Sequence, residues 1–283
     1  MFPENFDASN RTTNELRMPR PRTKSVPDTP KVLDKALRVL AAFGENAGAW
    51  SEADLRDHVG IPSTTLNRIL RSLELAGYLM RGADGRYRLG VAAVRLGQRA
   101  SASLDLPAVL APHLQEIARR TEELVILAVP DLPTGLATYV AVADSPKRLR
   151  VTAELGTTVP LTAGATAKTL LAFQRETDID AALERPPQRL AAGTITDRHQ
   201  IRRQLKTIAR RGWGLSWEET YDGAWAVAAP VLDDDGHAVA AFGVATPVSR
   251  HTRKVQESNR AAVIDVAPRA ASALRLGPRG EHA

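Results

Sequence analysis

Residues 51–90 read SEADLRDHVGIPSTTLNRILRSLELAGYLMRGADGRYRLG, and this stretch decides the fold of the front of the chain. Ser51 precedes a short acidic first turn, which is typical of a helix N-cap. That helix is expected to end near Gly60, because Pro62 bars its continuation. A second helix therefore starts at residue 63 or 64 and runs to about residue 76.

The second of these helices is amphipathic. Its apolar residues recur at the three- and four-residue spacing of a helix and predict a buried face. Beyond Gly77, the sequence alternates and then turns at Asp84-Gly85, which is a strong signal for a two-stranded hairpin. The residues predicted to be buried are Leu66, Ile69, Leu70 and Leu73.

A third helix is predicted ahead of this stretch, within KVLDKALRVLAAF at residues 31–43. Gly44 is expected to end it in a left-handed cap. Three helices with a tight turn between the second and the third, followed by a hairpin, indicate a winged helix-turn-helix domain over residues 31–90. The apolar positions at helical spacing in this first helix are Val32, Leu33, Ala36, Leu37, Leu40 and Phe43.

A winged helix-turn-helix places its second helix in the DNA major groove and its hairpin against the flanking backbone. The face opposite the leucine stripe is polar or basic and almost free of acids, so we expect it to contact DNA; the alternative is an ordinary solvated face. Hydroxyls suit phosphates, whereas Asn67 and Arg68 could read base edges. The predicted DNA-binding residues are Ser63, Thr64, Thr65, Asn67, Arg68 and Arg71 on the helix, with Arg81, Arg86 and Arg88 on the hairpin.

Composition and charge agree with a DNA-binding front domain and exclude several other classes. Residues 1–100 hold 16 Lys/Arg against 11 Asp/Glu, a net of +5 out of +6 for the chain, as expected of a polyanion-binding head. The absence of cysteine excludes disulfides, thiolate metal sites and a cysteine nucleophile. No apolar run approaches the roughly 20 residues of a membrane helix, and the N-terminus lacks the apolar core of a signal peptide. We therefore expect a cytoplasmic protein without a membrane partner.

The rest of the chain alternates between helix and strand patterns, which favours an α+β domain around an antiparallel sheet. Helices are predicted at 108–121, 164–174, 197–211 and 255–275. The predicted strands are LVILAV, GLATYVAV, RLRVTAEL, WGLSW, AWAVAAPVL and AVAAFGVAT. The expected organisation is a disordered arm (1–30), the winged domain (31–90), a linker helix (91–106), an effector-type domain (107–276) and a tail (277–283).

These motifs resemble those of the IclR family of bacterial transcription regulators. KALRVLAAFGE and the stretch from WSEADL to RYRLG are similar to that family's DNA-binding domain. VPLTAGATAKTLLAF, TITDRHQIRRQLKTIARRGWGLSWEET and GAWAVAAPVLDDDGHAVAAFGVATP are similar to its effector-binding domain, so the resemblance covers roughly residues 31 to 276. It implies a GAF-like ligand-binding domain, a helical linker, and homodimers or dimers of dimers on double-stranded operator DNA.

Residues 164–169, GATAKT, raise the alternative of a phosphate-binding loop. Such a loop needs glycines in the pattern GxxxxGK[ST], whereas this chain has Thr162 and Ala167 at those positions, and no strand is expected to run directly into it. A nucleotide site is therefore not expected. The resemblance implies instead a helix whose N-terminal amides border an effector pocket and attract a carboxylate. Lys168 is interpreted as structural or partly exposed, with its ammonium outside the pocket.

By the same resemblance, Ala165 and Thr166 occupy positions that touch the effector's carboxylate in family members. The sequence departs from the family pattern on the remaining wall, where an acidic residue, a cysteine and serines are common. These replacements make the wall smaller or less polar, so the predicted effector is a small organic acid, aromatic or branched, and bulkier than a short keto acid. The remaining predicted effector-binding residues are Ser216, Ala226, Gly243 and Ala245.

Two alternatives to an effector-responsive regulator stay open. Trp213, Trp217 or Trp225 (the last at a position where the family often has arginine) could fill the pocket, leaving a ligand-independent DNA-binding protein. An enzyme acting on a small acid has less support, because no two histidines are spaced for a helical metal site and no GxSxG motif occurs.

The acidic residues of the rear domain also give little support to catalysis. Asp233-Asp234-Asp235-Gly236 is interpreted as a hairpin turn rather than a cation site. Glu218 and Glu219 are expected to point to opposite faces of a strand, which is a poor start for a carboxylate pair. No catalytic residue, metal site or cofactor is predicted.

Overall fold

The computed structural model describes residues 31–45, 49–103 and 105–276. The arm expected over residues 1–30 and the tail expected over 277–283 lie outside the described residues. The front domain is the predicted winged helix-turn-helix. Its elements are α1 (Lys31–Glu45), α2 (Glu52–Val59), α3 (Ser63–Leu75), β1 (Leu79–Arg81) and β2 (Tyr87–Leu89), with β1 and β2 paired antiparallel.

The turns of this domain follow from the residues that the sequence predicts as caps. The Ser51 hydroxyl accepts the Asp54 amide at 3.1 Å, which starts α2. Gly60 ends α2 with φ of 64°, a left-handed conformation that glycine adopts without strain. The sharp turn lets the apolar sides of α2 and α3 face each other. Leu55, Leu66 and Leu70 are fully shielded at their contact, whereas Leu73 is only half-buried.

Helix α1 differs from the prediction at its end. Gly44 does not cap it, because the helix continues to Glu45. Its apolar residues do not all face the core: α1 packs through Val39, Ala42 and Phe43. The exposed apolar side chains of α1 are Val32 (63%), Leu33 (48%) and Leu37 (54%).

The chain continues through a linker helix into a second set of elements. None of the described helices combines the length and the apolar character needed to cross a lipid bilayer. A 3-10 turn at Val248–Arg250 precedes the last helix. The elements are α4 (Val91–Ser103), α5 (Asp105–Thr121), β3 (Leu124–Asp131), β4 (Leu136–Ala143), β5 (Thr158–Pro160), α6 (Ala165–Ala172), α7 (Glu176–Glu184), α8 (Arg198–Arg211), β6 (Gly214–Trp217), β7 (Ala224–Leu232), β8 (Ala238–Pro247) and α9 (Arg253–Leu276).

A six-stranded sheet organises this second set. Its strand order is β5-β4-β3-β8-β7-β6, and every neighbouring pair is antiparallel, which confirms the predicted α+β architecture. Helices α6, α7 and α8 pack on one face. Helices α5 and α9 pack on the other. Both faces are thus buried, which explains the nearly continuous apolar runs of β3, β7 and β8.

Two predictions for this domain were wrong, and one helix was missed. The stretch RLRVTAEL at 148–155 was predicted to be a strand, but it forms none. The free edge of β4 pairs with β5, so residues 148–155 have no strand to pair with. The sequence analysis also expected no strand to run into the loop before α6. Strand β5 ends at Pro160, directly before that loop, so this expectation was wrong. Helix α7 was not predicted, although Ile179, Ala182 and Leu183 bury one face at helical spacing.

Candidate functional site

The predicted DNA-contacting face of α3 is accessible. Thr64, Asn67, Arg68 and Arg71 are exposed, while Ser63 and Thr65 are half-buried at the start of the helix. The buried face of α3 lies on the opposite side, formed by Leu66, Ile69 and Leu70. The helix therefore presents polar and basic side chains outward from a rigid, packed support.

The N-terminus of α3 can receive an anion. Pro62 occupies the cap position and supplies no side-chain hydrogen bond, and the first turn contains no acidic residue. Within the described residues, no acceptor is recorded for the amides of Ser63 and Thr64. Free amides at a helix start, together with the helix dipole, favour a phosphate oxygen.

The hairpin, or wing, carries three arginines in different states. Arg81 donates to the Gly85 carbonyl at 3.2 Å, and Arg86 donates to the Ala49 carbonyl at 3.1 Å. Both remain exposed, so neither hydrogen bond removes the charge from solvent. Arg88 instead forms an ion pair with Asp84 at 2.7 Å, which neutralises much of its charge.

The six predicted effector positions lie on one pocket beside the start of α6. Ala165 and Thr166 open the helix, and the others come from three neighbouring strands. In the sheet, Ser216 is directly opposite Ala226, and Ala226 is directly opposite Ala245. Gly243 lies two residues before Ala245 and therefore on the same face. Positions scattered over 80 residues of sequence are thus gathered by strand register.

Two of the backbone amides at the start of α6 already donate hydrogen bonds to side chains of the protein. The Gly164 amide donates to Glu219 Oε2 at 3.0 Å, and the Ala165 amide donates to Ser216 Oγ at 2.9 Å. For the next two amides, of Thr166 and Ala167, no acceptor is recorded among the described residues. All eight residues of α6 are buried, so these amides form a polar patch that lacks solvent.

The sequence analysis predicted a structural role or partial exposure for Lys168, and of these two the partial exposure was wrong. Its side chain is fully buried, and Nζ lies 2.5 Å from Glu219 Oε1 and 2.6 Å from Gln204 Oε1. Burial lowers the pKa of Lys168, and the neighbouring Glu219 carboxylate opposes that shift. Lys168 does not line the pocket, as expected; it holds the carboxylate that caps α6.

Glu219 was missed because the predicted strand geometry does not apply to it. Strand β6 ends at Trp217, and Glu218 adopts a left-handed φ of 49°. The expectation that Glu218 and Glu219 point to opposite faces of a strand was therefore wrong. The turn directs Glu219 inward to Lys168, while the Glu218 carboxylate accepts the Gly223 amide at 2.8 Å.

The small residues of the wall do not leave a large void. The free volume of the pocket is about 30 Å³, roughly the space of one water molecule. A Cβ added at Gly243 would lie 2.0 Å from Thr166 Oγ1, so the threonine hydroxyl occupies the space above this glycine. Trp225 borders the pocket, but it belongs to the core between the sheet and helices α5 and α9, where it stacks on Trp217 at 5.6 Å.

Two tyrosines of the pocket wall were not predicted. Burial raises the pKa of Tyr139 and, to a smaller extent, that of Tyr221. Both phenols therefore stay protonated near neutral pH and can donate hydrogen bonds. Tyr139 could have been suspected from its inward position in the alternating strand GLATYVAV, whereas Tyr221 lies in a loop without a local signal.

The acidic turn between β7 and β8 is the predicted hairpin. Asp233 Oδ1 accepts the amides of Asp235 and His237 at 3.0 and 2.8 Å, and Gly236 has φ of 81°. Asp233, Asp235 and His237 bring three potential ligand atoms within 4.8 Å of one another. Backbone amides thus already engage Asp233 Oδ1, as in an ordinary Asx turn.

Comparison with known proteins agrees with this geometry. Residues 32–82 match the IclR helix-turn-helix domain, and residues 98–272 match the family described as bacterial transcriptional regulator IclR C-terminal. The HTH-type transcriptional regulator KipR of Bacillus subtilis is 28% identical over 78% of this chain and 88% of its own. The glycerol operon regulatory protein of Streptomyces griseus is 32% identical over 76% of this chain and 82% of its own.

A solved structure shows the same architecture over nearly its whole length. An IclR homolog from Microbacterium hydrocarbonoxydans, crystallised in complex with 4-hydroxybenzoate, superimposes with a TM-score of 0.70 at 26% identity, covering 87% of this chain and 99% of that one. The two family matches together span both domains, and the curated relatives are regulators. The chain therefore belongs to the IclR family of bacterial DNA-binding transcriptional regulators, and it is not an enzyme.

Proposed function

We propose that this regulator reads its operator with the exposed face of α3 and holds the flanking backbone with its wing. Asn67 and Arg68 are the base-reading residues, because they lie exposed in the first two turns of α3. The amides of Ser63 and Thr64 take a phosphate. The remaining contacts are made by Thr65, Arg71, Arg81 and Arg86, with Arg88 held back by Asp84.

The operator affinity is modulated by a small organic acid bound at the start of α6. The observation that carries this proposal is that all six effector positions inferred from the resemblance line one pocket. The unsatisfied amides of Thr166 and Ala167 would donate to a carboxylate, and the protonated Tyr139 and Tyr221 would donate to polar groups of the ligand. The homolog that binds 4-hydroxybenzoate supports an aromatic acid.

An aromatic acid needs more than about 30 Å³, so binding requires the wall to move. Thr166 can rotate away from Gly243, since its hydroxyl fills space that glycine leaves free. A ligand shifts an equilibrium only by its different affinity for two arrangements. The narrow pocket is the arrangement with low affinity, and the widened pocket is the one that the acid stabilises.

The linker helix α4 connects the domain that holds this pocket to the DNA-binding domain. Two hydrogen bonds hold the start of α4 to the DNA-binding domain. The Ala92 amide donates to the Gly77 carbonyl at 3.0 Å, and the Gly90 amide donates to the Tyr78 carbonyl at 2.7 Å. A Cβ at Gly90 would lie 2.3 Å from the Gly77 oxygen, so this close approach requires glycine. A change in the direction of α4 would therefore be passed to the end of α3.

The chain acts as a dimer or a dimer of dimers. Val32, Leu33 and Leu37 leave apolar area exposed on α1, and Val91, Val94 and Leu96 do the same on α4. Clusters of exposed apolar residues of this kind mark protein interfaces. A second copy of the chain covering them would fix the distance between two recognition helices.

One experiment tests the effector part of the proposal. Isothermal titration of the full chain with aromatic and branched acids, and with pyruvate, should show binding of the larger acids. The same acids should change operator affinity in a mobility-shift assay. Tight pyruvate binding with no aromatic binder would refute the size argument, and operator binding indifferent to every acid would favour the ligand-independent alternative.

A further inference from the structure

A second, larger concavity lies on the other side of the Glu219 wall. It runs between α8, β6 and the loop at 193–195, it is open to solvent, and its volume is about 600 Å³, compared with about 30 Å³ for the pocket at α6. One side of α8 faces it along three turns, at Gln200, Gln204, Thr207 and Arg211, together with Arg203. Ligand sites in proteins commonly have this volume. We call this concavity the α8 groove.

The charge of the α8 groove is positive and unbalanced. Arg203 and Arg211 line it, and the single acidic residue that lines it, Glu219, already forms its ion pair with Lys168. Among the described residues, no carboxylate is recorded within ion-pair distance of Arg203 or Arg211. An anion in the groove would therefore meet two cations that the protein does not neutralise.

Arg211 is held in place for such a role. Its guanidinium lies over the Trp213 ring at 3.8 Å, and its Nε donates to the Trp213 carbonyl at 2.5 Å. Burial lowers the pKa of Arg211. Five other arginines have their pKa raised by a neighbouring carboxylate: Arg56, Arg88, Arg202, Arg260 and Arg269. Arg211 is thus held against Trp213 while it stays exposed, and no partner is recorded for its remaining donors within the described part of the chain.

The groove also has an apolar wall. Ile195, Ile208 and Leu215 line it, and Trp217 at its rim is 38% exposed. Ile208 is already buried and Leu215 packs against the core of α5 and α9, so the apolar surface that a free inorganic anion would leave uncovered belongs to Ile195 and Trp217. An acid with a flat apolar body would bury it while its carboxylate meets the arginines.

We propose that the α8 groove is a second ligand site, for an aromatic carboxylate that meets Arg203 and Arg211 and packs against Ile195 and Trp217. It is distinct from the pocket at the start of α6. The two sites share Ser216 and Glu219 as a common wall. Gln204 lines the groove and accepts from Lys168, whose partner Glu219 caps α6, so occupation of the groove can be sensed at the other pocket.

The test is isothermal titration of the full chain with benzoate, together with tryptophan fluorescence. The wild type should bind two benzoates per chain. Arg203→Gln/Arg211→Gln should remove one event or weaken it at least tenfold, whereas the matched control Arg210→Gln, an exposed arginine of the same helix, should not. Trp217→Phe should abolish most of the fluorescence change of the groove event.

The proposed pocket at α6 is tested separately by Ala226→Leu, which fills that pocket and leaves the groove unchanged. A benzoate-binding event that is lost in Arg203→Gln/Arg211→Gln but kept in Ala226→Leu supports the groove site, even if no second binding event is observed. If Ala226→Leu removes every benzoate-binding event and the arginine double variant removes none, the groove site is overturned and the proposed function stands. Inorganic phosphate binding the groove as tightly as benzoate would overturn the apolar-bodied ligand. A changed sedimentation coefficient of the double variant, without loss of benzoate binding, would instead assign the groove to subunit contact.

Discussion

The Lys168 ammonium and the Glu219 carboxylate, 51 positions apart in the chain, form an ion pair of 2.5 Å in which both side chains are shielded from solvent. Glu219 also accepts the Gly164 amide, and Lys168 also donates to Gln204. The pair therefore ties the start of α6 to α8 and separates the two concavities of the effector domain.

Removing one member of this pair should destabilise the protein strongly. Glu219→Gln leaves the Lys168 charge buried without a counter-charge, which is expected to cost about 3–5 kcal/mol of unfolding free energy. Chemical denaturation followed by circular dichroism measures it. The double variant Lys168→Met/Glu219→Gln should recover part of the loss, since no buried charge remains. Equal or greater destabilisation of the double variant would contradict this account.

Replacing Arg68 with alanine should weaken binding to the operator by roughly 1–3 kcal/mol if this side chain reads a base. The reason is that Arg68 is exposed on the outer face of α3 and no internal partner is recorded for it among the described residues. Mobility-shift titration measures the loss. Lys206→Ala, an exposed cation on α8, is the matched control and should leave operator affinity unchanged. An unaltered affinity for Arg68→Ala would remove it from the recognition face.

Filling the pocket at α6 should separate ligand response from DNA binding. Ala226→Leu places a larger side chain between Ser216 and Ala245, so the dissociation constant of the bound acid should rise at least tenfold. Operator affinity without ligand should stay unchanged, because α3 and the wing are untouched. Titration calorimetry and mobility shifts report the two quantities. An Ala226→Leu protein whose operator binding still responds to the acid would place the effector elsewhere.

The wing has a predicted pH signature at Asp84. Its hydrogen bonds with the Arg88 guanidinium, and then with the Arg86 amide, lower the pKa of Asp84 from 3.8 to about 2. Because the folded-state pKa is depressed, this contribution to stability is complete above about pH 4 and is lost as the pH falls towards 2. NMR titration of the Asp84 carboxyl should show the low value, and Arg88→Gln should return it towards 3.8. A titration of wild-type Asp84 near 3.8 would mean that the pair does not form in solution.

The apolar surface of α1 should control the oligomeric state. Leu33→Glu/Leu37→Glu introduces charges into a face that a second copy would bury, so the assembly should shift towards monomers in sedimentation velocity. Glu45→Gln, at the end of the same helix, serves as the control. If the double variant keeps the wild-type sedimentation profile, this face of α1 does not lie in the interface.

Much of the fold could be predicted because its signals are local. The Ser51 cap, the Gly60 turn, the periodicity of α3 and the Asp84-Gly85 hairpin each depend on residues within one or two turns of one another. The antiparallel sheet followed in the same way from alternating and continuous apolar runs. The prediction failed at 148–155, where a strand-like composition has no partner strand, since pairing depends on the neighbouring edge.

The amino-acid sequence alone determined the winged head, the sheet and, through the family resemblance, the six residues around the start of α6. Only the tertiary structure decided how these residues are arranged. The left-handed turn at Glu218 directs Glu219 to Lys168, strand register places Ser216, Ala226 and Ala245 in one row, and Thr166 fills the space above Gly243. Such contacts join residues far apart in the chain, so their geometry arises only when the packed core brings the elements together.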